Sequence, residues 1–352
     1  MVRSMIVGTG FIGAVHARAV RRAGGVVVGV VGRTEEGAAR AGAEWDVPTS
    51  SSSLAGLLDR VDADLVHVCT PNVLHAEQVE AALAANLNVI CEKPLGVSSE
   101  QAGAMLAAAE ARQVVHAVPF AYRFYPAVRE LRARLRDGGR VLLIHGGYLQ
   151  DWLADAGTTN WRVDPGLGGQ SRAFADIGVH WCDLAEFVTG DRIAALTAVT
   201  ASVHHRGVSQ PTEDLAALLF RTSRGATGSM QVSQVSWGRK NRLELYIDTE
   251  RAAYGFEQER PDRLWVGGAA GATILERGSG FEAADAHRFE RLPPGHPQGY
   301  QDCFDAFVAD VYTALGGSAP DGLPTFADGY RAALLTEAVL TSAAQGGWVQ
   351  LD

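Results

Sequence analysis

A glycine-rich turn near the start of the chain constrains the fold most. Residues 5–13 read Met-Ile-Val-Gly-Thr-Gly-Phe-Ile-Gly, which gives Gly8, Gly10 and Gly13 the spacing G-x-G-x-x-G after a short apolar run. The alanine-rich segment 14–23 that follows has the composition of a helix. In a strand–turn–helix unit the first glycine permits a tight turn, the second leaves room for a pyrophosphate, and the third lets helix and strand pack closely. The pattern predicts a dinucleotide site whose contacts in this turn are Gly8, Gly10, Phe11, Ile12 and Gly13.

The spacing alone is weak evidence, because the chain contains 40 glycines and such a pattern can arise by chance. A purely structural glycine-rich turn is the alternative interpretation. The flanking apolar run and helical segment both fit a dinucleotide site, in which the N–H groups at the start of the helix face the phosphates. Cofactor binding is therefore the better supported of the two.

Composition and length limit the other possibilities. A chain of 352 residues is long enough for about two domains. With 47% hydrophobic and 20% charged residues, it is expected to form packed globular domains. The net charge of -9, without a basic stripe, argues against a nucleic-acid partner. We expect a cytoplasmic protein without a membrane partner, because neither a signal-like segment nor an apolar run of membrane-spanning length is evident.

The cysteines do not have the spacing of a metal site or a disulfide framework. No C-x-x-C pair occurs among them, and they lie far apart in the sequence. We interpret them as reduced thiols in the core or near the site, and predict no metal. They are Cys69, Cys91, Cys182 and Cys303.

The residues after the second predicted strand bear on the choice of cofactor. The apolar run Val26–Val31 is followed by Gly32, Arg33 and Thr34, and no acidic residue occurs before Glu35. An NAD site usually places an acid here for the ribose 2′-hydroxyl, whereas an arginine can accommodate the 2′-phosphate of NADP. The sequence therefore favours NADP slightly over NAD, with Gly32, Arg33 and Thr34 at the cofactor. The alternatives are that Arg33 stacks on the adenine of NAD or lies in solvent.

The next strand-like run also ends in polar residues. Residues 64–69 are mainly apolar and lead directly into Thr70-Pro71-Asn72. In open α/β sheets, ligands bind at the carboxyl ends of the strands. We therefore expect these three residues to contact the cofactor. His67 lies inside the run and is predicted to be a core residue, not a ligand.

Six short motifs follow one another along the chain and continue into its second half. They are the glycine motif at 8–13, Thr70-Pro71-Asn72-x-x-His75, Glu92-Lys93-Pro94, Tyr122-Arg123-Phe124-x-Pro126, Gly168-Gly169 and Asp176-Ile177-Gly178-x-His180. In this order they resemble the motifs of the Gfo/Idh/MocA family of oxidoreductases. The resemblance implies that His75, Glu92 and Lys93 contact the cofactor as well.

The resemblance also implies the architecture. It predicts an α/β protein with an N-terminal Rossmann domain, residues 1–119, and a C-terminal α/β domain, residues 120–352, whose large open sheet is mostly antiparallel. Strand-like runs separated by glycine and polar clusters between 193 and 266 agree with such a sheet built of consecutive hairpins. The sheet needs cover on one face, so we expect a homodimer or homotetramer. The last helix is expected to pack near the Rossmann domain.

The implied activity is oxidation or reduction of sugars, cyclitols and related polyols with NAD or NADP. Oxidising a secondary alcohol moves a hydride to the cofactor while a base removes the hydroxyl proton. Lys93 and His180 are the candidate bases, with Asp176 four residues before His180 on the same helical face, and the sequence does not decide between them. The predicted substrate contacts are Lys93, Tyr122, Arg123, Trp161, Arg162, Asp176 and His180.

Two other classes of function stay open. A sensor or structural protein on this fold would bind the cofactor without catalysis, but the presence of Lys93, Asp176 and His180 together argues against it. A glycosidase resembling this family would use tightly held NAD for elimination chemistry. The long polar segment 151–170 carries tryptophans that suit the apolar face of a sugar ring, although simple packing explains them nearly as well.

Overall fold

The computed structural model describes residues 1–351, and contacts divide the chain into two compact units. The first consists of Met1–Ala121 and Tyr300–Ala333, and the second of Tyr122–Gly299 and the chain from Leu334 onward. The predicted boundary at 119/120 lies close to the start of the second unit, whereas residues 300–333, predicted in the second domain, belong to the first unit. Within residues 1–351, no helix is both long and apolar enough to cross a membrane.

Helices and strands alternate in the first third of the chain, and strands dominate residues 193–276. The helices are α1 (Phe11–Arg22), α2 (Glu35–Glu44), α3 (Leu54–Leu58), α4 (His75–Ala84), α5 (Ser99–Ala111), α6 (Pro126–Asp137), α7 (Pro165–Gly168), α8 (Val179–Thr189), α9 (Ala284–His287), α10 (Tyr300–Leu315) and α11 (Phe326–Gln345). The strands are β1 (Arg3–Val7), β2 (Val26–Val31), β3 (Ser50–Ser51), β4 (Leu65–Val68), β5 (Asn88–Cys91), β6 (His116–Ala117), β7 (Val141–Leu149), β8 (Ile193–Ala201), β9 (Leu215–Thr222), β10 (Thr227–Ser233), β11 (Arg242–Thr249), β12 (Ala253–Glu257), β13 (Arg263–Gly268), β14 (Gly271–Glu276) and β15 (Val349–Gln350).

The first unit contains a six-stranded parallel sheet in the order β3-β2-β1-β4-β5-β6. Its central strands are mainly apolar because both faces are covered, and Met5, Ile6 and Val7 of β1 are at most 1% exposed. The strand order reverses direction between β1 and β4. In such a sheet the crevice at this reversal is where ligands bind. This confirms the predicted Rossmann fold.

Helix α10 completes the first unit by packing against α1. The ring of His16 on α1 lies 5.1 Å from that of Phe304, and the side-chain amide of Gln301 donates to the carbonyl oxygen of Val15 at 3.2 Å. At the end of α1, Arg22 forms an ion pair with Asp305 at 3.2 Å. One side of α1 packs against the sheet. The apolar surface on its other side is covered by α10, which belongs to residues 300–333.

The second unit contains a nine-stranded sheet in the order β14-β13-β12-β11-β7-β10-β9-β8-β15. All neighbouring strands are antiparallel except β7 and β10. This confirms the mostly antiparallel sheet. The hairpins from β8 to β10 and from β11 to β14 follow the expectation. Strand β7, in contrast, inserts between β10 and β11, so the sheet is not built of consecutive hairpins alone.

One face of this sheet is covered by helices of the same unit. On β11, Leu243, Leu245 and Ile247 are fully buried, and the indole N–H of Trp181 on α8 donates to the carbonyl oxygen of Glu244 at 2.8 Å. Apolar side chains also stand on the strands outside this core. The most exposed of them are Val199, Leu219 and Ile274, at 66%, 54% and 56%.

Candidate active site

The glycine turn between β1 and α1 has the backbone that a dinucleotide site needs. Gly8 has φ of +116°, a value that side chains rarely allow, and a Cβ there would collide with the carbonyl oxygen of Cys69. A Cβ on Gly13 would collide with the carbonyl oxygen of Gly8. At Gly10, in contrast, a Cβ would meet no atom within 4 Å. Gly8 and Gly13 therefore allow close packing of the backbone, whereas Gly10 faces open space.

That open space lies at the start of α1. Gly10 is the N-cap residue and has no side chain to satisfy the first N–H groups of the helix. Those groups and the positive end of the helix dipole suit a pyrophosphate. Phe11, 78% exposed, and Ile12, half-buried, border the same turn. The residues present therefore fit a dinucleotide.

At the end of β2, the three predicted cofactor residues have different environments. Gly32 is buried against α2, where a Cβ would lie 2.8 Å from the backbone nitrogen of Ala38. Thr34 caps α2 by accepting the N–H of Gly37 at 3.1 Å. Arg33 is exposed. The contact predicted between its side chain and a cofactor phosphate stays a prediction.

The first acid after β2 bonds to the protein itself. Glu35 Oε1 accepts the backbone N–H of Ser52 at 2.8 Å and its hydroxyl at 2.5 Å. The Ser52 hydroxyl, followed by the Ser52 backbone, holds the pKa of Glu35 below its usual value. Glu35 is thus ionised at neutral pH and directed to Ser52.

His75 joins the loops that follow β4 and β5. Its Nε2 lies 3.0 Å from the carbonyl oxygen of Thr70, and its Nδ1 lies 2.9 Å from that of Pro94. Thr70 also donates its hydroxyl to Gln78 at 2.7 Å. Burial lowers the pKa of His75, while both carbonyl groups act in the opposite direction. The ring is fully buried and holds the two loops together through these bonds. The cofactor contact predicted for His75 stays a prediction.

Lys93 lies in the loop after β5 and is half-buried. Its backbone N–H donates to Oε2 of Glu92 at 3.1 Å, and its peptide bond to Pro94 is cis. Glu92 is almost fully buried, and its other oxygen lies 3.1 Å from Nε2 of His16. No motif in the sequence connects His16, on α1, with this loop. Its only signal was a histidine on the otherwise apolar buried face of a helix.

In the second unit, Asp176 and His180 lie on either side of a change in helix type. Asp176 is within a π-helical turn, Phe174–Gly178, and His180 is in the first turn of α8. The sequence predicted an ordinary helix here, because the local pattern does not distinguish the two. Isolated π turns frequently occur at functional sites. His180 is 7% exposed, and the ring of Tyr122 lies 5.1 Å from it in an edge-on arrangement.

The carboxylate of Asp176 accepts hydrogen bonds from Arg162 and Gln234. Arg162 Nε lies 3.3 Å from Oδ1, and Gln234 Nε2 lies 2.7 Å from Oδ2. Gln234 is fully buried and accepts a hydrogen bond from Arg172 Nη1 at 2.9 Å. Arg172 in turn pairs with the buried Asp214. Sequence reasoning missed this network, although Gln234 has the alternation phase of the buried residues of β10.

Tyr122 and Arg123, both predicted to contact substrate, are held by hydrogen bonds to neighbouring side chains. Tyr122 shares a 2.5 Å hydrogen bond with Tyr148. Arg123 binds Asp183 through Nε at 2.9 Å and lies over the ring of Phe187, which is the environment of a structural ion pair. Its role in substrate binding stays a prediction.

The segment 151–170 is anchored at both ends. The backbone N–H of Leu153 donates to the carbonyl oxygen of Gln234 at 3.1 Å, and the hydroxyl of Ser171 donates to Glu213 at 2.7 Å. Between these anchors, the guanidinium of Arg162 lies 4.3 Å from the ring centre of Trp161. Arg162 thus links the segment to Asp176.

The remaining predictions concern metals and thiols. Within residues 1–351, no cluster of histidine, cysteine, aspartate and glutamate has the arrangement of a metal site. Each cysteine is buried, and none forms a disulfide within the described residues.

Family models match both parts of the chain. Residues 2–120 match the oxidoreductase family with an NAD-binding Rossmann fold, and residues 128–253 match the GFO/IDH/MocA C-terminal domain. The chain belongs to the GFO/IDH/MocA family of oxidoreductases. The family, the fold class and the oxidoreductase activity predicted from the motifs are thereby confirmed.

Individual relatives agree with this assignment. Levoglucosan dehydrogenase of Pseudarthrobacter phenanthrenivorans is 31% identical, over 89% of this chain and 86% of that protein. Inositol 2-dehydrogenase 2 of Saccharopolyspora erythraea is 29% identical, over 99% and 94%. A solved levoglucosan dehydrogenase in complex with NADH and levoglucosan matches with a TM-score of 0.89 at 30% identity, covering 99% of both chains. An inositol dehydrogenase homolog with NAD+ from Azotobacter vinelandii matches with a TM-score of 0.88 at 26% identity, over 99% and 97%.

Proposed function

We propose that the chain is an NAD(P)-dependent dehydrogenase that transfers a hydride between a nicotinamide cofactor and a secondary alcohol or ketone of a sugar, anhydrosugar, glycoside or cyclitol. The observation that carries the proposal is the open glycine turn at Gly10, on the same sheet edge as the loop that bears Lys93. Parallel strands bring their carboxyl ends to one edge, so a cofactor bound at the turn extends toward neighbouring strand ends. Among the substrates, an anhydrosugar such as levoglucosan comes first, because levoglucosan dehydrogenase is similar over 89% of the chain.

The proposed chemistry needs a group that takes the hydroxyl proton as the hydride leaves. When bound, the nicotinamide supplies the hydride acceptor. Lys93 and His180 are the candidate proton-handling groups, and general acid–base groups act by positioned proton transfer. Asp176, held by Arg162 and Gln234, is the proposed support for His180. The assignment between Lys93 and His180 is left to the mutants below.

The cofactor preference and assembly are part of the same proposal. Arg33 is exposed, and Glu35 is directed to Ser52, which supports a slight preference for NADP. The relatives point both ways, since one is a levoglucosan dehydrogenase with NADH and another is a D-xylose 1-dehydrogenase (NADP(+)) of Haloferax volcanii, 32% identical over 49% of the chain. A homodimer or homotetramer, joined through the second-unit sheet, is proposed from the exposed apolar side chains of that sheet, and the cytoplasmic location stays a prediction from the sequence.

One relative supports the elimination alternative. A 2,7-anhydro-N-acetylneuraminate hydratase of Mediterraneibacter gnavus is 29% identical over 59% of the chain. A chain with the elimination chemistry of the glycosidase alternative would hold its NAD and regenerate it in each cycle. It would therefore convert substrate without net production of reduced cofactor.

A substrate panel separates these functions. The purified chain is incubated with levoglucosan, aldoses, inositols and glycosides, with NAD and NADP in separate reactions, and both reduced cofactor and products are measured. We expect stoichiometric reduced cofactor with at least one anhydrosugar or cyclitol. Product without net cofactor reduction would favour the elimination alternative. No conversion of any substrate, with cofactor binding intact, would favour a non-catalytic protein.

A further inference from the structure

Three polar side chains lie together in the interior of the first unit. His16 and His67 are 0% exposed, and Glu92 is 6% exposed. They come from α1, β4 and the residue after β5, which are neighbours only through the fold. Burying such groups costs free energy unless each finds hydrogen-bond partners. Their contacts with one another offset that cost.

The contacts form a series of hydrogen bonds in which each donor can be assigned. His16 Nε2 lies 3.1 Å from Glu92 Oε1, and His16 Nδ1 lies 2.9 Å from His67 Nδ1. An ionised carboxylate only accepts, so His16 Nε2 carries the proton in that bond. In the neutral ring, His16 Nδ1 then accepts, and His67 Nδ1 donates to it.

The environment of His67 agrees with this assignment. Its Nε2 is buried, and no group of residues 1–351 offers it a hydrogen bond. A bare lone pair there is tolerated better than an unbonded N–H, which favours the Nδ1–H form. Burial, and after it His16, holds the pKa of His67 well below its usual value, so the ring is neutral at neutral pH. The direction of donation thus runs from His67 through His16 to Glu92.

This series of hydrogen bonds ends at the backbone N–H of Lys93. Glu92 Oε2 accepts the Lys93 N–H at 3.1 Å, while its other oxygen is occupied by His16. We propose that His16 is a positioning residue for Lys93, which orients the Glu92 carboxylate and thereby fixes the loop that carries the Lys93 side chain. This inference rests on the proposed function, because the proton-handling role of Lys93 is itself proposed.

The position of His16 gives this arrangement a second consequence. It lies on the helix that begins at the open glycine turn, so one side chain connects the cofactor-binding helix with the Lys93 loop. A displacement of α1 would pull on Glu92 through a 3.1 Å bond. Because misplacing reacting groups by about 1 Å costs up to about a hundredfold in rate, loss of the His16 bond should lower kcat.

If these contacts serve stability alone, a different result is expected. Buried polar groups often serve stability alone, and then their loss lowers the melting temperature but leaves the folded enzyme unchanged. The test must therefore report on Lys93 itself. The sequence makes this possible, since Lys93 and Lys240 are its two lysines.

The test compares two substitutions at one position. In His16→Gln the side-chain amide reaches the Nε2 position and keeps a donor for Glu92. In His16→Asn it reaches only the Nδ1 position, so the contact with His67 is kept and the donor to Glu92 is lost. Protein labelled with ¹⁵N-lysine gives backbone amide signals of Lys93 and Lys240, which Lys240→Arg assigns.

We expect the Lys93 amide signal to move in His16→Asn and to return toward its native position in His16→Gln, while the Lys240 signal stays in place. With saturating cofactor and substrate, kcat should fall about tenfold in His16→Asn with little change in KM, and His16→Gln should recover most of it. In the Lys93→Met background, His16→Asn should add little, because both act through one group.

An unmoved Lys93 signal in folded His16→Asn would overturn the inference, and so would an unchanged kcat in an active enzyme. If His16→Asn does not fold, His67→Leu, which removes the donor to His16, is put through the same measurements with the same two outcomes. Should the wild-type chain oxidise no substrate, the proposed function fails on its own, and the Lys93 signal still decides whether His16 fixes this loop.

Discussion

The side-chain amide of Gln234 donates a 2.7 Å hydrogen bond to the carboxylate of Asp176, across 58 positions of sequence. The same side chain accepts from Arg172 at 2.9 Å and is fully buried. One glutamine therefore joins the candidate catalytic carboxylate to the buried Arg172–Asp214 ion pair. The orientation of Asp176 depends on a residue that no motif includes.

Gln234→Leu should destabilise the protein and lower activity. The substitution leaves an N–H of Arg172 and an oxygen of Asp176 without this partner, and each unsatisfied buried group costs about 1–3 kcal/mol. We expect a lower melting temperature by calorimetry and a lower kcat in the folded fraction. Gln231→Leu, at an exposed position on the same strand, is the control and should change stability by no more than about 0.5 kcal/mol. Equal behaviour of the two variants would remove the role assigned to Gln234.

Lys93→Met should abolish most of the chemistry without unfolding the protein. General acid–base groups contribute about 10² to 10⁴-fold, so kcat should fall by that factor while dinucleotide binding and cooperative melting persist. Lys240→Arg is the matched control, since Lys240 is 79% exposed and bonds Asp151 at the surface. Near-normal kcat in Lys93→Met on the best substrate would leave His180 as the candidate base.

Asp176→Ala and His180→Ala should each lower kcat, and their effects should not multiply. If the carboxylate acts through the imidazole, the double variant loses less than the product of the two single losses. Steady-state kinetics of the four proteins of this cycle measure the coupling. Fully multiplicative losses would mean that Asp176 and His180 act independently.

Arg33→Ala should weaken NADP binding more than NAD binding. The exposed guanidinium at the end of β2 is the group proposed to meet the 2′-phosphate, which NAD lacks. Fluorescence titration with both reduced cofactors gives the ratio of their dissociation constants. Arg40→Ala removes the same charge from an exposed position on α2 and should leave that ratio unchanged. An equal loss for both cofactors in Arg33→Ala would contradict a phosphate contact.

Charges on the exposed apolar part of the second-unit sheet should break the assembly. Val199 and Leu219 are 66% and 54% exposed on neighbouring strands, and burying a carboxylate against a second copy is costly. Light scattering should give a dimer or tetramer mass for the wild type and a monomer mass for Val199→Asp/Leu219→Asp. Leu292→Asp, at an exposed loop position, should keep the wild-type mass. A wild type that is monomeric at all concentrations would exclude the proposed assembly.

Local patterns predicted the elements well where one physical constraint dominates. The run Val26–Val31 has the predicted bounds, because burial on two faces leaves a clear signature of continuous apolar residues. The place of β7 between β10 and β11 was not predicted, since strand pairing depends on contacts far apart in sequence. The membership of 300–333 in the first unit depends likewise on the surface that α1 leaves uncovered.

The candidate site likewise has a part that the sequence predicts and a part that it does not. The glycine turn could be predicted because its chemistry is local, and Gly8 and Gly13 have the close backbone contacts that the spacing requires. The supports could not be predicted, because His16 reaches Glu92 across 76 positions and Gln234 reaches Asp176 across 58. A motif identifies the group that acts, whereas the groups that hold it are set by the fold.

The two anchors of the segment 151–170 make it replaceable. Leu153, near the start of the segment, is bonded to Gln234 just after β10, and Ser171, just after its end, is bonded to Glu213 just before β9. Each doubling of the length of a flexible loop costs only about 0.6 kcal/mol. Insertions and deletions between these anchors therefore alter the groups offered to a ligand at a small cost in folding free energy, provided that Arg162 keeps its contact with Asp176. For protein engineering, this is the stretch in which a library can vary both length and sequence around a fixed Arg162.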